Sequence, residues 1–387
     1  MIRNISIGID VGSSITRVVV AEFLKGEKDP KVIGVGEAPT EGMRHGYIVD
    51  SALAVHSVKQ AVAIAEKTSD IKIRRAFVSV GGVTLRGDLS TGEAIVSKAD
   101  GEVTHLDIER AIEDSEDNLS LNNKKVIQVF PMSFKLDGKE ILGRPEGMKG
   151  TKLEVKTLFV TCSSQHLDDL LSVITEAGVK PIDVIPSPIA SSHIALSPKQ
   201  KIAGSALVNI GSETVSLAVF ENGSLVSLHT FSIGGGDVTN DIALGLKISL
   251  EEAENLKLGN GVEDYSKKKL DEIIEARLSD IFELIENHLK KIKRNELLPA
   301  GVVFIGGSSN IPGLATYSKE SLKLPSRVAT TDMFGSSKTK LRDPAWFVTL
   351  GLINSNIDSE GVPTGSFANM LKDLKGTIKA GIKQLMP

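Results

Sequence analysis

Two short segments hold the residue types from which a phosphate-binding site can be built. The first is Ile7-Gly8-Ile9-Asp10-Val11-Gly12-Ser13-Ser14, and the second is Ala206-Leu207-Val208-Asn209-Ile210-Gly211-Ser212-Glu213-Thr214. In each, an apolar run reaches a polar residue, Asp10 or Asn209. The chain then turns through Gly and Ser into a second apolar run, residues 15–20 or 215–220. A glycine lets the chain turn tightly, so that successive N–H groups can converge on an anion. Two such hairpins facing each other would grip a polyphosphate from both sides. Asp10 stands at the end of its strand, where a buried acid needs a partner, and a Mg²⁺ ion with its water shell beside a polyphosphate would provide one.

The elements that must position these turns can be read from periodicity and punctuation. Residues 1–84 read as a βββαβ unit whose helix, 51–68, is rich in Ala and Val at helical spacing, and whose last strand ends at Gly81-Gly82. From 85 to 162 the texture changes to an acidic helix from Asp107 to Asn118 and short strands over 126–134 and 153–162, which reads as an inserted subdomain. A helix over 165–177 and a strand over 181–186 follow. The second half adds Gly234-Gly235-Gly236-Asp237, charged helices over 249–258 and 267–293, and a strand that runs into Gly306-Gly307-Ser308-Ser309. Alternating β and α elements with glycine-rich turns at strand ends predict an α/β sheet architecture, and the pseudo-repeat predicts it twice.

The chain has 387 residues, enough for two or more domains, with 41% apolar and 24% charged residues. Its net charge of -4 gives no footprint for nucleic acid. The single cysteine, Cys162, lies in an apolar strand and reads as core, so no disulfide framework exists. No run approaches the ~20 apolar residues that span a bilayer, and the start lacks the apolar stretch of a signal peptide. A cytoplasmic protein is expected.

The C-terminal region has a pattern of its own. Residues 354–366 are polar, with Gly361, Pro363 and Gly365, and read as a flexible linker. Beyond it, Phe367, Met370, Leu371, Leu374, Ile378, Ile382 and Leu385 fall within an arc of about 120° on a helix. Lys372, Lys375, Lys379 and Lys383 flank that stripe against one acid, Asp373. An apolar stripe with basic flanks suits an anionic lipid surface, at about 1 kcal/mol per basic residue. A lone copy lacking Trp and Tyr would anchor weakly, and polymerisation would multiply the hold.

The order of phosphate turn, second phosphate turn and strand-Gly-Gly loop resembles the actin, Hsp70 and sugar kinase ATPases. Within that group the chain is similar to the FtsA family of bacterial cell-division actin homologues. Residues 147–155 (Gly-Met-Lys-Gly-Thr-Lys-Leu-Glu-Val), 238–243, 252–257 and 344–352 carry the resemblance, which covers nearly the whole chain. It implies a two-lobed actin-like ATPase fold of ribonuclease H-like lobes with an inserted 1C-type subdomain and a C-terminal amphipathic helix. The implied division is a first lobe from 1–84 and 163–198 closed by a helix at 344–353, and an insert at 85–162. The second lobe has its core in 199–242 and 298–343 and a helical subdomain in 243–297. The linker at 354–366 and the membrane helix at 367–387 follow.

The resemblance also implies roles. Gly12, Ser13 and Ser14 would cradle phosphates of ATP from one lobe, and Gly211, Ser212 and Thr214 from the other. Asp10 would hold the Mg²⁺ water shell, with Asn209 reaching it through water. Gly234, Gly235 and Gly236 would lie close to phosphate or ribose, Glu254 and Lys257 at the ribose and adenine edge, and Gly306, Gly307 and Ser308 beneath the base. The family usually has Asp where this chain has Asn209. An amide brings neither charge nor basicity, so ATP binding with slow or absent hydrolysis is expected. Arg277, Lys290, Lys291, Lys293 and Arg294 are candidates to receive the C-terminal peptide of the tubulin-like FtsZ.

The expected protein therefore binds ATP and Mg²⁺, polymerises head to tail, and ties FtsZ and other divisome proteins to the anionic inner membrane at the division site. Its rivals are a soluble PilM-like adaptor of pilus or secretion assembly and a sugar or small-acid kinase. A kinase needs an acid poised as base in the cleft, and Asp237 is the nearest candidate.

Overall fold

The computed structural model describes residues 4–24, 29–260, 265–331 and 339–354. The turn at Lys25-Gly26-Glu27, the linker from residue 355 onward and the whole amphipathic segment from Phe367 to Leu385 lie outside them.

The N-terminal part comprises β1 (Asn4–Val11), β2 (Ile15–Phe23), β3 (Lys31–Pro39), a small hairpin of β4 (Met43–Arg44) and β5 (Tyr47–Ile48), α1 (Ser51–Ser69) and β6 (Arg75–Val80). Next come β7 (Arg86–Ile95), α2 (His105–Asp117), β8 (Lys124–Leu136), β9 (Lys139–Ile141) and β10 (Lys152–Ser163). α3 (Ser164–Glu176), β11 (Lys180–Pro186), α4 (Ser187–Ala195) and α5 (Pro198–Ala203) lead to the second half. That half holds β12 (Ser205–Ile210), β13 (Val215–Glu221), β14 (Ser224–Phe231), α6 (Gly235–Leu246), α7 (Leu250–Lys257), α8 (Lys267–Lys291), β15 (Val302–Ile305), α9 (Leu314–Leu322) and β16 (Ser326–Val328). α10 (Phe347–Asn354) ends the described chain.

The pseudo-repeat seen in the two turns extends to whole sheets. The first sheet has the order β11-β6-β1-β2-β3, and the second, read from its other edge, β16-β15-β12-β13-β14. In both, the strand before the turn pairs antiparallel with the strand after it and parallel with a later strand. The registers match as well: Asp10 stands opposite Arg17, and Asn209 opposite Ser216.

Alternating side chains tie the two halves together. On β12 and β13, Val208 and Leu217 face a core completed by Ile281, Phe282 and Ile285 of α8. Their neighbours Leu207 and Ala218 join the core built on β1 and β2. One continuous apolar interior therefore crosses from lobe to lobe. α10 is buried along its length except at its last residue and packs against α4 and β1, which seats the end of the fold on the first sheet.

The region between β6 and α3 forms its own antiparallel sheet, β7-β10-β8-β9, with α2 across it. α2 begins at a capping box in which Thr104 and Asp107 bond each other's backbone N–H. Strand β7 is absent from the sequence reading. Its buried positions are Gly92 and Ala94, small because the α2 backbone lies directly against Gly92, so no apolar alternation marks it. Cys162 is buried core, and burial pushes its thiol up to about 12, which makes it inert.

Candidate nucleotide-binding site

Both turns open onto one cavity of about 360 Å³ between the lobes. Each turn is closed by a glycine whose backbone lies against the strand that follows: Gly211 N–H donates to Thr214 C=O at 2.9 Å, and Gly12 stands against Ile15 C=O. Gly12, Ser13 and Ser14 line the cavity from one side, and Gly211, Ser212 and Thr214 from the other. Gly306, Gly307 and Ser308 complete the wall from the end of β15, together with Ala345 and Val348 from the closing segment. Gly306 is in the left-handed region at φ 91°, and its Cα packs against Asn209 Oδ1, so a larger residue there would displace the amide.

Asp10 has a partner within the protein. The Ser79 hydroxyl, on the parallel neighbour β6, donates to its carboxylate. Burial raises the Asp10 pKa, while the Ser79 hydrogen bond and the charge of Arg17 oppose the shift. The sequence reading supplied a metal ion as that partner, and the structure supplies a hydroxyl first. A carboxylate, a hydroxyl and the Asn209 amide still form an oxygen-rich set suited to a hydrated Mg²⁺. Among the described residues no cluster of three His, Cys, Asp or Glu exists, so such an ion would be held mainly through its waters.

Arg17 is the main residue missed from the sequence. It follows Asp10 by one hairpin, lines the cavity and lies 5.5 Å from the ring centroid of Trp346, the only tryptophan. Its Nε is buried without a hydrogen-bond partner, and the nearest acid, Glu37, is 4.0 Å away. Lys340 stands 5.6 Å from the same ring. Its signal was the pairing register of β1 with β2, which no linear spacing displays.

Three groups have partners within the protein. Gly234, Gly235 and Gly236 do not line the cavity. They pack behind the second turn, where Gly235 N–H donates to Gly211 C=O at 2.8 Å and Gly236 N–H to Ser212 C=O at 2.7 Å. Their role is to buttress the turn. Lys257 lines the wall, but its buried ammonium already donates to Gly235 C=O, Thr239 Oγ1 and Glu254 Oε2 at 3.1, 3.0 and 2.6 Å. Three donors are thereby engaged, which leaves the half-exposed Glu254 carboxylate as the group that can face a ligand. Asp237 caps its helix, accepting from Gly234 N–H at 2.8 Å, and does not line the cavity.

Three of the five candidate basic residues of the second lobe are also paired internally. Arg277 grips Asp241 at 2.7 Å and reaches Asp280 at 3.2 Å, Arg294 grips Glu221 at 2.6 Å, and Lys290 meets Glu286 at 3.0 Å. No described helix is long and apolar enough to cross a membrane.

Two sheets of one topology closing on a shared cleft, with a subdomain inserted in the first, define a two-lobed actin-like ATPase fold. Solved structures agree. PilM of a PilM-PilN type IV pilus biogenesis complex superposes with a TM-score of 0.69 at 16% identity, covering 91% of this chain and 98% of that one. MreB5 of Spiroplasma citri bound to ADP gives 0.51 at 14% identity, covering 92% and 96%. The model of the cell division protein FtsA matches residues 206–351, and that of the SHS2 domain inserted in FtsA matches 82–161. The cell division protein FtsA of Bacillus subtilis is 32% identical over 373 residues, covering 91% of this chain and 83% of that protein. That of Pseudomonas aeruginosa is 27% identical, covering 90% and 88%. The chain belongs to the FtsA family of cell division proteins.

Proposed function

We propose that this protein binds ATP between its lobes, polymerises head to tail, and ties FtsZ filaments to the cytoplasmic face of the membrane. The observation that supports the reading best is the shared cavity, with one Gly/Ser turn from each pseudo-equivalent sheet opening onto it. Backbone N–H groups and the hydroxyls of Ser13, Ser14, Ser212 and Thr214 would hold the phosphates. Arg17 would supply a fixed positive charge, and Asp10, Ser79 and Asn209 would orient the waters of a Mg²⁺ ion. When bound, that ion neutralises phosphate charge. Glu254 would meet the ribose, and Gly306 to Ser308 would pass beneath the base.

The amide of Asn209 cannot take a proton, so slow or absent hydrolysis is expected. Nucleotide then acts as a structural ligand that holds the lobes in an assembly-competent closure. A heterologous contact between identical subunits that does not close on itself yields an open filament. The apolar stripe from Phe367 to Leu385 with its flanking lysines, carried on the linker, would bind anionic lipid, and the second-lobe basic residues, with Lys291 and Lys293 foremost, would receive an acidic FtsZ tail.

Co-sedimentation with anionic liposomes tests the reading, for the full chain and for a chain ending at Gly365, with and without Mg-ATP. Pelleting by the full chain alone, enhanced by ATP, is expected. If neither chain pellets, the soluble PilM-like adaptor, whose fold neighbour superposes well, becomes the better account.

A further inference from the structure

The cavity mouth holds a contact between the lobes that none of the nucleotide-binding assignments includes. The tip of the β4–β5 hairpin reaches from the first lobe to the second turn. His45 N–H donates to the Glu213 carboxylate at 2.5 Å, and His45 Nδ1–H donates to the Glu213 carbonyl at 3.2 Å. Ser232 Oγ, also from the second lobe, lies 3.3 Å from the same ring nitrogen. The next residue, Gly46, turns back to the first lobe, and its N–H donates to Ser13 Oγ at 3.1 Å. Two adjacent backbone N–H groups thus connect the first phosphate turn with the second.

The backbone at this tip is held in a demanding shape. His45 and Gly46 both occupy the left-handed region, at φ 49° and 80°, and Gly46 is pressed against Gly82 so closely that no side chain fits. Glu213 does not line the cavity, although its neighbours Ser212 and Thr214 do. Its carboxylate is turned onto the hairpin, away from where a polyphosphate would repel it.

We propose that Glu213 and His45 form a latch across the cleft, which phosphate in the first turn tightens. The proposal rests on the nucleotide reading above. Ser13 Oγ accepts from Gly46, which leaves its own proton for an anion cradled by Gly12 to Ser14. Donating that proton makes the hydroxyl oxygen a better acceptor, and the polarisation runs through Gly46 N–H to the His45–Glu213 pair. Nucleotide in one lobe thereby strengthens a bond to the other. Glu213 is a positioning residue here, acting through the hairpin rather than by touching the ligand.

The test uses the full chain and a fluorescent ATP analogue with Mg²⁺, measuring dissociation by stopped flow and amide exchange at residues 45 and 46. Glu213→Ala should speed dissociation about tenfold or more, the loss of one charge-assisted hydrogen bond. Glu213→Asp keeps the charge but falls short of His45, and should behave like Glu213→Ala. Glu213→Gln keeps an acceptor at full reach and should stay within about threefold of wild type. ATP should slow exchange at the two amides in wild type and in Glu213→Gln, and not in Glu213→Ala. Should Glu213→Ala fail to fold, Glu213→Asp carries the same comparison. Wild-type dissociation rates in both Glu213→Ala and Glu213→Asp would overturn the latch and leave the nucleotide reading standing. A wild-type chain that binds no ATP would overturn both.

Discussion

The two turns share geometry and differ in charge. Asp10 and Asn209 stand at the same strand position, and their cross-strand partners are Arg17 and Ser216. On the parallel neighbour, Ser79 of β6 bonds Asp10, whereas the Cα of Gly306, at the end of β15, backs Asn209. At these matched positions the first lobe thus brings an acid, a hydroxyl and a guanidinium, and the second brings an amide and a hydroxyl. A repeated backbone fixes where phosphate is held. Side chains at matched positions fix what can be done to it: metal anchoring and charge on one side, neutral cradling on the other.

Breaking the charged side should have the largest effect. Asp10→Ala removes the carboxylate beside the first turn and should weaken Mg-ATP about a hundredfold by calorimetry while barely changing ATP binding in EDTA, an effect of about 3 kcal/mol. Next comes the swap that makes the lobes alike. Asn209→Asp should raise single-turnover ATP hydrolysis about tenfold or more, since a positioned base contributes about 10²–10⁴-fold in full effect. Fast hydrolysis in wild type, with no gain from Asp, would show that the amide does not set the rate. A third comparison uses the cross-strand pair. Arg17→Ala should cost about tenfold in affinity, and Ser216→Ala less than about twofold, because only the former deletes a charge-assisted contact to phosphate. Trp346, with Arg17 and Lys340 near its ring, should report nucleotide by fluorescence in wild type and lose part of that change in Arg17→Ala.

The difference in charge was partly legible in the chain. Glycine and serine at 12–14 and 211–214 announce turns because few other residues allow them, and Asp against Asn is read directly. The α/β repetition followed from strand-turn-strand texture. Three things were hidden for physical reasons. Strand β7 buries glycine and alanine rather than large apolar residues, so it has no alternation to detect. Arg17 acquires its meaning from register, and the His45–Glu213 bond joins residues whose separation of 168 no local pattern spans. The bracing of the second turn by the glycine run at 234–236 was also hidden, because tight approach serves equally to lie near a ligand and to support another turn.

The subtlest way to sharpen the comparison is pH. Burial raises the Asp10 pKa, so this carboxyl takes up a proton at a higher pH than an ordinary aspartate. The native apo state, which holds that proton more tightly than the unfolded chain, is favoured as pH falls and loses that advantage as pH rises through the folded value. Metal binding runs the other way, because only the ionised carboxylate can orient the waters of Mg²⁺. Mg-ATP affinity should therefore decline as pH falls toward the raised Asp10 value, faster than the titration of ATP itself dictates. Asp10→Asn supplies the background, since the nucleotide titrates equally in both proteins and only the difference belongs to the site. Asn209→Asp then places a second acid at the matched position, and like charge should push Asp10 higher still and start the decline at a higher pH. If the profiles of all three proteins superimpose, Asp10 does not orient the metal's waters, and the asymmetry between the turns has no part in metal binding.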